Sequence, residues 1–523
     1  MDITIAYQRA LQQHPYKYIA LYYALRENIL NGSLQPGMRL PSTRELAASY
    51  GVSRGSAAEA YDLLLAEGYT ESAVGRGTYV ARQLTSLPVI QHSTKKEQPD
   101  PKRSAAVSTA DPSNSYRTLS RWGNRLLEMD QRQPAESPAA DDPANLPITP
   151  LQRPATMISF APREILLEGR SLTDWRSAMT GAARDLQQPV HSSGQREEAG
   201  GDLLLREAIC SHLGRTRGIA AQPEQIVLCS GSMEAIVLLC QLLINEGEPV
   251  ILEDPCYPGI SRAITACGGQ VCPAPLDRQG IIPQDWDSRL LFVTPGRQFP
   301  TGVVLPLPRR QQLLQWAEHR QAWIVEDDYD SEFRWEGRPV EPLKALDTTD
   351  SVIYVGSFSK SMFSSLRLGY AIMPPGLAQA LIAAKRLYDP LPSSRLEQRA
   401  LARFIMRGDY MRHLRRMTRL YRGRHAMFRE QVEQQLRGVF SWMPVGSGLH
   451  VYGVWQHDRE SYAQFRQIAA GCGVRWRDAA DYQLTEGTPA GCFSFAHLEE
   501  EQIIEGIRRL RNAWNTLQST KFH

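Results

Sequence analysis

Tyr354-Val-Gly-Ser-Phe-Ser-Lys360-Ser-Met-Phe-Ser-Ser-Leu-Arg367-Leu-Gly-Tyr370 is the stretch on which the reading of this chain turns. A β-branched run, Ser351-Val-Ile-Tyr-Val355, stops at Gly356 and gives way to hydroxyls, a lysine and, seven residues on, an arginine. A lysine held at the end of a buried strand loses its proton readily and can attack an aldehyde. Serines and an arginine beside it can hold a phosphate. Pyridoxal 5'-phosphate (PLP) is an aldehyde that carries a phosphate, and the stretch points to that cofactor. Ser357-Phe-Ser-Lys360 also fits the Ser-x-x-Lys of penicillin-recognising enzymes, but no Ser-Asp-Asn or Lys-Thr-Gly follows it. Lysine is scarce: of 59 Lys and Arg, eight are lysines, and only Lys344, Lys360, Lys385 and Lys521 lie beyond residue 117. Few residues compete with Lys360 for the role.

From Met157 onward, strand-like and helical patterns alternate. The strand-like runs are Gln225–Leu228, Pro249–Leu252, Leu290–Val293, Trp323–Val325 and Val352–Val355. This α/β order predicts a mostly parallel sheet, with ligands at the strand ends. Cys229-Ser230-Gly231-Ser232-Met233 follows one run and opens a helix, where amides and hydroxyls bind a phosphate. Taken alone that motif is common, because Gly/Ser turns often precede helices. Ile324-Val-Glu326-Asp327-Asp328-Tyr329-Asp330 ends another run in acids. An acidic loop solvated at a strand end and a metal site are both open to such a cluster, although no histidine accompanies it.

The first 81 residues read differently. Ile19, Tyr22, Leu25, Ile29 and Leu30 recur at helical spacing, and Asn31-Gly32 ends that helix. Ser42-Thr-Arg-Glu45 is a capping box opening a short helix that stops at Gly51. Ser53 caps the next helix, whose apolar face includes Ala57, Tyr61, Leu64 and Leu65, closed by Gly68. Two helices joined by so few residues have helix-turn-helix spacing. Tyr69–Ala73 and Thr78–Val80 flank Val74-Gly-Arg-Gly77 as a hairpin, or wing. Residues 82–117 are polar and Pro/Ser-rich, the composition of a flexible linker. A second polar stretch runs over about 131–154, and Leu119–Met129 between them reads as a short helix.

Bulk composition sets bounds on function. The chain has 523 residues, enough for several domains, with 42% hydrophobic and 22% charged residues and a net charge of +3. Nucleic-acid binding therefore depends on placement of charge; residues 1–82 carry eight basic and seven acidic side chains. The eight cysteines show no metal-binding spacing and read as free thiols of a reducing compartment. The start, Met1-Asp-Ile-Thr, has no signal-peptide pattern, and the longest apolar stretch, around Ile236–Ile244, is too short to span a bilayer. The expectation is a cytoplasmic protein without membrane contact.

Residues 1–81 resemble the GntR family of bacterial winged-helix regulators. The likeness rests on Gly32-Ser-Leu-Gln-Pro-Gly37-Met-Arg39-Leu-Pro41-Ser42-Thr-Arg44-Glu-Leu-Ala, Gly51-Val-Ser53-Arg54, Glu67-Gly68 and Gly75-Arg76-Gly77-Thr78-Tyr-Val. One departure is Gly55-Ser56, where Thr-Val is commoner, though Ser56 retains the hydroxyl. The resemblance implies double-stranded promoter DNA as partner. Arg44 and Arg54 are the expected main contacts, Arg39 and Arg76 reach backbone or minor groove, and Ser42, Ser53 and Ser56 lie at the phosphates.

Residues 118–523 resemble fold type I PLP enzymes, the aminotransferase-like group, with a large and a small subdomain. Lys360 matches the Schiff-base lysine, and Ser357, Ser359 and Arg367 match the phosphate cradle with Ser230, Gly231, Ser232 and Met233. Tyr257 matches the aromatic that stacks on the pyridine ring. Asp327 matches the aspartate that pairs with the ring nitrogen, and Tyr329 then reaches the ring 3-hydroxyl. Thr294-Pro-Gly-Arg297-Gln298-Phe299-Pro300-Thr301-Gly302 resembles a turn beside the cofactor. In that order the two halves resemble the MocR subfamily of GntR-type regulators, which implies a head-to-tail homodimer. The pattern breaks at Gly491-Cys492-Phe493-Ser494-Phe495: Cys492 stands where transaminases carry a carboxylate-binding arginine. Two expectations stay open for the effector. It is PLP itself, or an amine or amino acid held elsewhere, by Arg475, Arg477 or Arg297. An active aminotransferase with an accessory DNA-binding domain is the alternative reading.

Overall fold

The computed structural model describes residues 3–73, 77–81, 119–131, 157–162, 165, 167, 169–186, 200–337, 340–389, 394–443 and 446–521. The chain divides into two compact units, Met1–Asn114 and Ser115–His523.

The first unit contains α1 (Thr4–Gln13), α2 (Lys17–Leu30), α3 (Thr43–Tyr50), α4 (Arg54–Ala66) and the antiparallel wing β1 (Thr70–Ala73) and β2 (Gly77–Val80). Its core gathers Leu21, Leu25 and Ile29 of α2, Leu46 of α3, and Ala57, Tyr61 and Leu64 of α4. The capping box forms in both directions. Ser42 Oγ accepts from the Glu45 amide at 3.3 Å, and the Glu45 carboxylate accepts from the Ser42 amide at 2.8 Å. α3 ends on Gly51 at φ 61°, a left-handed conformation that glycine adopts without strain. Ser53 Oγ then caps α4 by accepting from the Ser56 amide at 3.0 Å. Two expected core positions differ: Leu30 and Leu65 are exposed. Leu30 is the last residue of its helix, and Leu65 lies about 100° round from Leu64, beyond the buried stripe.

In the second unit, β3 (Ile158–Ser159) is followed by the strands of a large sheet. These are β4 (Ile226–Cys229), β5 (Pro249–Asp254), β6 (Gln270–Asp277), β7 (Gly280–Ile281), β8 (Leu290–Val293), β9 (Trp323–Asp328), β10 (Val352–Ser357) and β11 (Gly369–Ile372). Their spatial order is β4-β11-β10-β9-β8-β5-β6-β7, parallel from β6 through β10, with β11 antiparallel to both neighbours. From β4 across to β5 both faces are buried, while β6 is mostly exposed or half-buried; in the buried strands successive side chains go to opposite cores. Ile226, Leu228, Tyr354 and Ile372 enter one core; Val227, Cys229, Ile353, Val355 and Ala371 enter the other. The five strand-like runs of the sequence are all strands. Gln225 falls outside its run because it closes a 3-10 turn, Pro223–Gln225. The helix expected at Leu119–Met129 spans Arg121–Gln131.

The remaining strands are β12 (Phe440–Trp442), β13 (His450–Trp455), β14 (Val474–Arg475), β15 (Arg477–Asp478) and β16 (Ala490–Ser494). Four of them form a sheet in the order β12-β13-β16-β15, while β14 pairs with β3. Among the described residues no helix is long and apolar enough to cross a membrane.

Candidate functional site

In the first unit, the two caps put Arg44 and Arg54 at the first turns of α3 and α4, both exposed. The Ser56 hydroxyl lies 2.9 Å from Ser53 Oγ, so the two hydroxyls form one polar cluster at the start of α4. Arg39 is exposed and bridges to Tyr79 on the wing, and a side chain at Gly77 would meet its guanidinium at 3.3 Å. Arg76 lies outside the described residues.

In the second unit the named residues collect at strand ends. Asp327 is the penultimate residue of β9, opposite Val355 of β10, and Lys360 follows β10 by three residues. Strand parity separates the two aspartates. Asp328 is committed: it accepts from Tyr354 Oη at 2.5 Å and pairs with Arg217 at 3.4 Å. Asp327 is buried with one carboxylate oxygen lacking any hydrogen-bond partner. Burial, then the nearby Asp328 and Asp330 charges, push its pKa up to about 7. A buried acid so placed fits a cationic ring nitrogen. Lys360 makes no hydrogen bond among the described residues, and burial lowers its pKa, which favours the neutral nucleophilic amine.

The phosphate cradle is built from close backbone approaches. Gly231 (φ 101°) joins β4 to the helix Ser232–Leu243 and has Arg367 against it; a side chain there would lie 3.1 Å from the guanidinium. A side chain on Gly369 would strike the Gly231 backbone at 2.6 Å. Arg367 donates to the Ser230 carbonyl at 3.1 Å. Ser357 Oγ accepts from the Ser359 amide at 3.2 Å, and Ser359 Oγ is buried without a partner. Ser232 and Met233 open the helix beside Gly231. An unsatisfied hydroxyl, a helix N-terminus and a guanidinium around side-chain-free backbone fit a phosphate dianion. The residues present therefore fit PLP at ring nitrogen, phosphate and aldehyde alike.

Phe299 anchors an aromatic wall, edge-on to Tyr257, Tyr329, His450 and Tyr482 with centroids 5.0–5.8 Å away. Tyr257 itself is 40% exposed, at the rim of that wall. Tyr329 Oη accepts from Arg297 at 2.8 Å. The guanidinium of Arg297 also pairs with Asp330 at 3.0 Å and donates to the His450 carbonyl at 2.7 Å, its side chain and that of Asp330 each 1% exposed. One offered carboxylate holder is thus already engaged. Burial and the neighbouring Arg297 keep His450 neutral; its Nε2 lies 2.9 Å from the Pro300 carbonyl. Cys492 is buried, and desolvation pushes its thiol up to about 12. It holds no negative charge and offers no cation. The roles of Arg217, Tyr354 and Asp330 went unread in the sequence, although the period-two alternation through β9 carried the signal for Asp328.

A winged helix-turn-helix unit and a cofactor chamber on a fold type I aminotransferase framework define the class: a DNA-binding protein carrying a PLP-type domain. Comparison with known proteins agrees. The family Aminotransferase class I and II matches residues 166–510, and Bacterial regulatory proteins, gntR family, matches residues 17–80. The probable rhizopine catabolism regulatory protein MocR of Rhizobium meliloti is 33% identical over 96% of this chain and 94% of its own. The pyridoxine biosynthesis regulator PdxR of Corynebacterium glutamicum is 31% identical over 82% of this chain and 80% of its own. The crystal structure of LysN, an α-aminoadipate aminotransferase of Thermus thermophilus complexed with N-(5'-phosphopyridoxyl)-L-leucine, superposes with a TM-score of 0.61 at 26% identity. That match covers 70% of this chain and 93% of the other. The chain belongs to the MocR-like regulators of the GntR family, with an aminotransferase class I and II domain of the PLP-dependent type.

Proposed function

We propose that this regulator binds promoter DNA through residues 1–81 and senses PLP, or an amine that reacts with bound PLP, through residues 118–523. The observation that carries the reading is the pairing, in one chain, of exposed Arg44 and Arg54 at capped helix starts with buried Lys360 and Asp327 at the sheet's strand ends and a buried thiol, Cys492, in place of the carboxylate arginine. Bound PLP supplies an aldehyde to amines and an electron-withdrawing ring. Lys360 tethers the aldehyde carbon, Asp327 holds the ring nitrogen, and Tyr329 meets the 3-hydroxyl. The Ser230–Met233 turn, Ser357, Ser359 and Arg367 hold the phosphate, while Tyr257 covers the ring. On DNA, Arg44 and Arg54 read base edges in the major groove, with Arg39, Arg76, Ser42, Ser53 and Ser56 at the backbone.

The working unit is a head-to-tail homodimer in the cytoplasm. Its support is an apolar surface on two packed helices, Ser232–Leu243 and Pro375–Tyr388, where Val237, Leu242, Leu387 and Tyr388 are exposed. The experiment is a mobility-shift titration of the protein on its own promoter, with and without PLP, in wild type and Lys360→Ala. A PLP-dependent change in wild type that disappears in the variant supports sensing; equal affinities in all four conditions remove it. An active aminotransferase is the second reading, favoured by the presence together of Lys360, Asp327 and Arg367. Multiple-turnover amino transfer from an amine to a keto acid would establish it.

A further inference from the structure

The helix Asp409–Gln435 is rich in arginine. Three of these side chains are committed: Arg412 to Asp409, Arg416 to Ser171 Oγ, and Arg424 to Glu499 at 2.7 Å. Arg415 and Arg419 are different. Both are exposed, and among the described residues neither makes a hydrogen bond or an ion pair. Four residues apart, they stand side by side on one face of the helix, where like charges repel. An exposed arginine usually does no more than solvate its helix. These two, however, line a cavity of about 730 Å³ whose other walls are also basic.

Arg215 and Arg217, at the end of the helix Leu203–Arg217, and Arg334, beyond β9, line the same cavity. Against these five arginines stands a single acidic residue, Glu332, and it is engaged by His212 at 3.1 Å. The carbonyls of a helix C-terminus favour cations, which accounts for Arg215 and Arg217, and Arg217 also pairs with Asp328 at 3.4 Å. Nothing similar accounts for Arg334. Its guanidinium donates only to the Glu336 carbonyl, at 3.3 Å, among the described residues. Burial, then the charge of Arg217, lower its pKa, so folding holds this cation against its surroundings. An anion in the cavity removes that repulsion and supplies partners to Arg334, Arg415 and Arg419 together.

We propose that this cavity is a binding site, separate from the cofactor chamber, for a phosphorylated small molecule carrying two or more negative charges. Guanidinium forks match the several oxygens of a phosphate group. Met411 and Leu414 give the wall an apolar strip, and the volume lies within the range of about 300–1,000 Å³ of small-molecule sites, so an organic body fits beside the phosphate. A duplex backbone meets exposed cations on an open surface, whereas the Arg217 side chain is only 8% exposed. None of the residues assigned to PLP lines the cavity, so the site stands whether or not the sensing reading does.

The test is a calorimetric titration of the full-length protein, loaded with PLP and freed of excess so that the phosphate cradle is filled. The probes are adenosine 5'-diphosphate, pyrophosphate and uncharged adenosine, at fixed ionic strength. Both phosphorylated probes are expected to bind and adenosine is not. Arg415→Ala and Arg419→Ala each weaken the two by about tenfold or more, the worth of one charge-assisted hydrogen bond. Arg422→Ala makes the same change of charge at an exposed position of the helix outside the cavity, and leaves their affinity as it was. Arg217 is left in place, because it holds Asp328 beside the cofactor aspartate. All three substitutions are at exposed positions, and an unchanged unfolding midpoint shows that each variant is folded. The proposal is overturned if neither phosphorylated probe binds, if adenosine binds as well as they do, or if Arg422→Ala loses as much as the other two. A random-sequence duplex that loses affinity in Arg415→Ala and Arg419→Ala, with the small probes inert, makes this face a DNA-backbone contact and overturns it equally.

Discussion

Asp327 and Asp328 are adjacent in sequence and opposite in circumstance, because a strand turns successive side chains to opposite faces. Asp328 is held by Tyr354 and Arg217, whereas Asp327 keeps an unsatisfied oxygen and a pKa of about 7. A carboxyl raised on folding takes up a proton that the unfolded chain releases, so its stabilising contribution is full below pH 4 and is lost as pH rises through about 7. Buried His413 and His425, each lowered to about 4, act in the opposite sense over the same range, losing stability as pH falls below about 6.5. The difference between wild type and Asp327→Asn therefore isolates the aspartate. Without PLP, the variant gains on the wild type by roughly 1–3 kcal/mol as pH rises from 4 to 7, read by denaturant titration. With PLP the order reverses at neutral pH, since an amide cannot pair with a cationic ring nitrogen. At Lys360 the outcome is sharper: Lys360→Ala loses the visible band of the tethered cofactor, and an unchanged spectrum would refute its role.

At the scale of elements, the caps of α3 and α4 hold Arg44 and Arg54 in the first turns, so the proposed base contacts depend on the residues that stabilise the helix starts. Ser42→Ala removes one half of the reciprocal box and costs about 1 kcal/mol, measurable as a lower unfolding midpoint of the isolated transition of that unit. Thr43→Ala, in the adjoining position, leaves the box intact and serves as the control. These elements were legible in the sequence because their signals are local: a serine three residues before a glutamate, a glycine at a left-handed C-cap, an alternating wing. The parallel strands were legible for the same reason, as apolar runs ending in polar clusters. What the sequence did not disclose was non-local. Arg297 looked like a candidate ligand holder until Asp330, Tyr329 and the His450 carbonyl were found around it, drawn from residues far apart in the chain. Register and burial decide such roles, and neither is written in spacing along one segment.

For the whole molecule, sensing requires that the ligand bind with different affinity when DNA is held and when it is not; tight binding alone moves nothing. Arg44→Ala and Arg54→Ala set the reference. Each is expected to cost about 1–3 kcal/mol of promoter affinity, with the cofactor band unaltered because neither side chain is among the residues assigned to the cofactor. Replacing an arginine that only meets phosphate, the role given to Arg39, instead weakens all sequences alike and flattens the salt dependence by about one counterion. The coupling between units is then a reciprocal quantity. If an amine changes promoter affinity by some factor, promoter DNA must change amine affinity by that same factor, typically about 5–150-fold in coupled systems. The measurement is the amine titration of the cofactor band run with and without a saturating promoter duplex, set beside the promoter titration run with and without amine. Equal factors well above one establish a sensor. An amine affinity indifferent to DNA, with both partners bound, leaves two activities on one chain and takes the regulatory role away from the cofactor chamber.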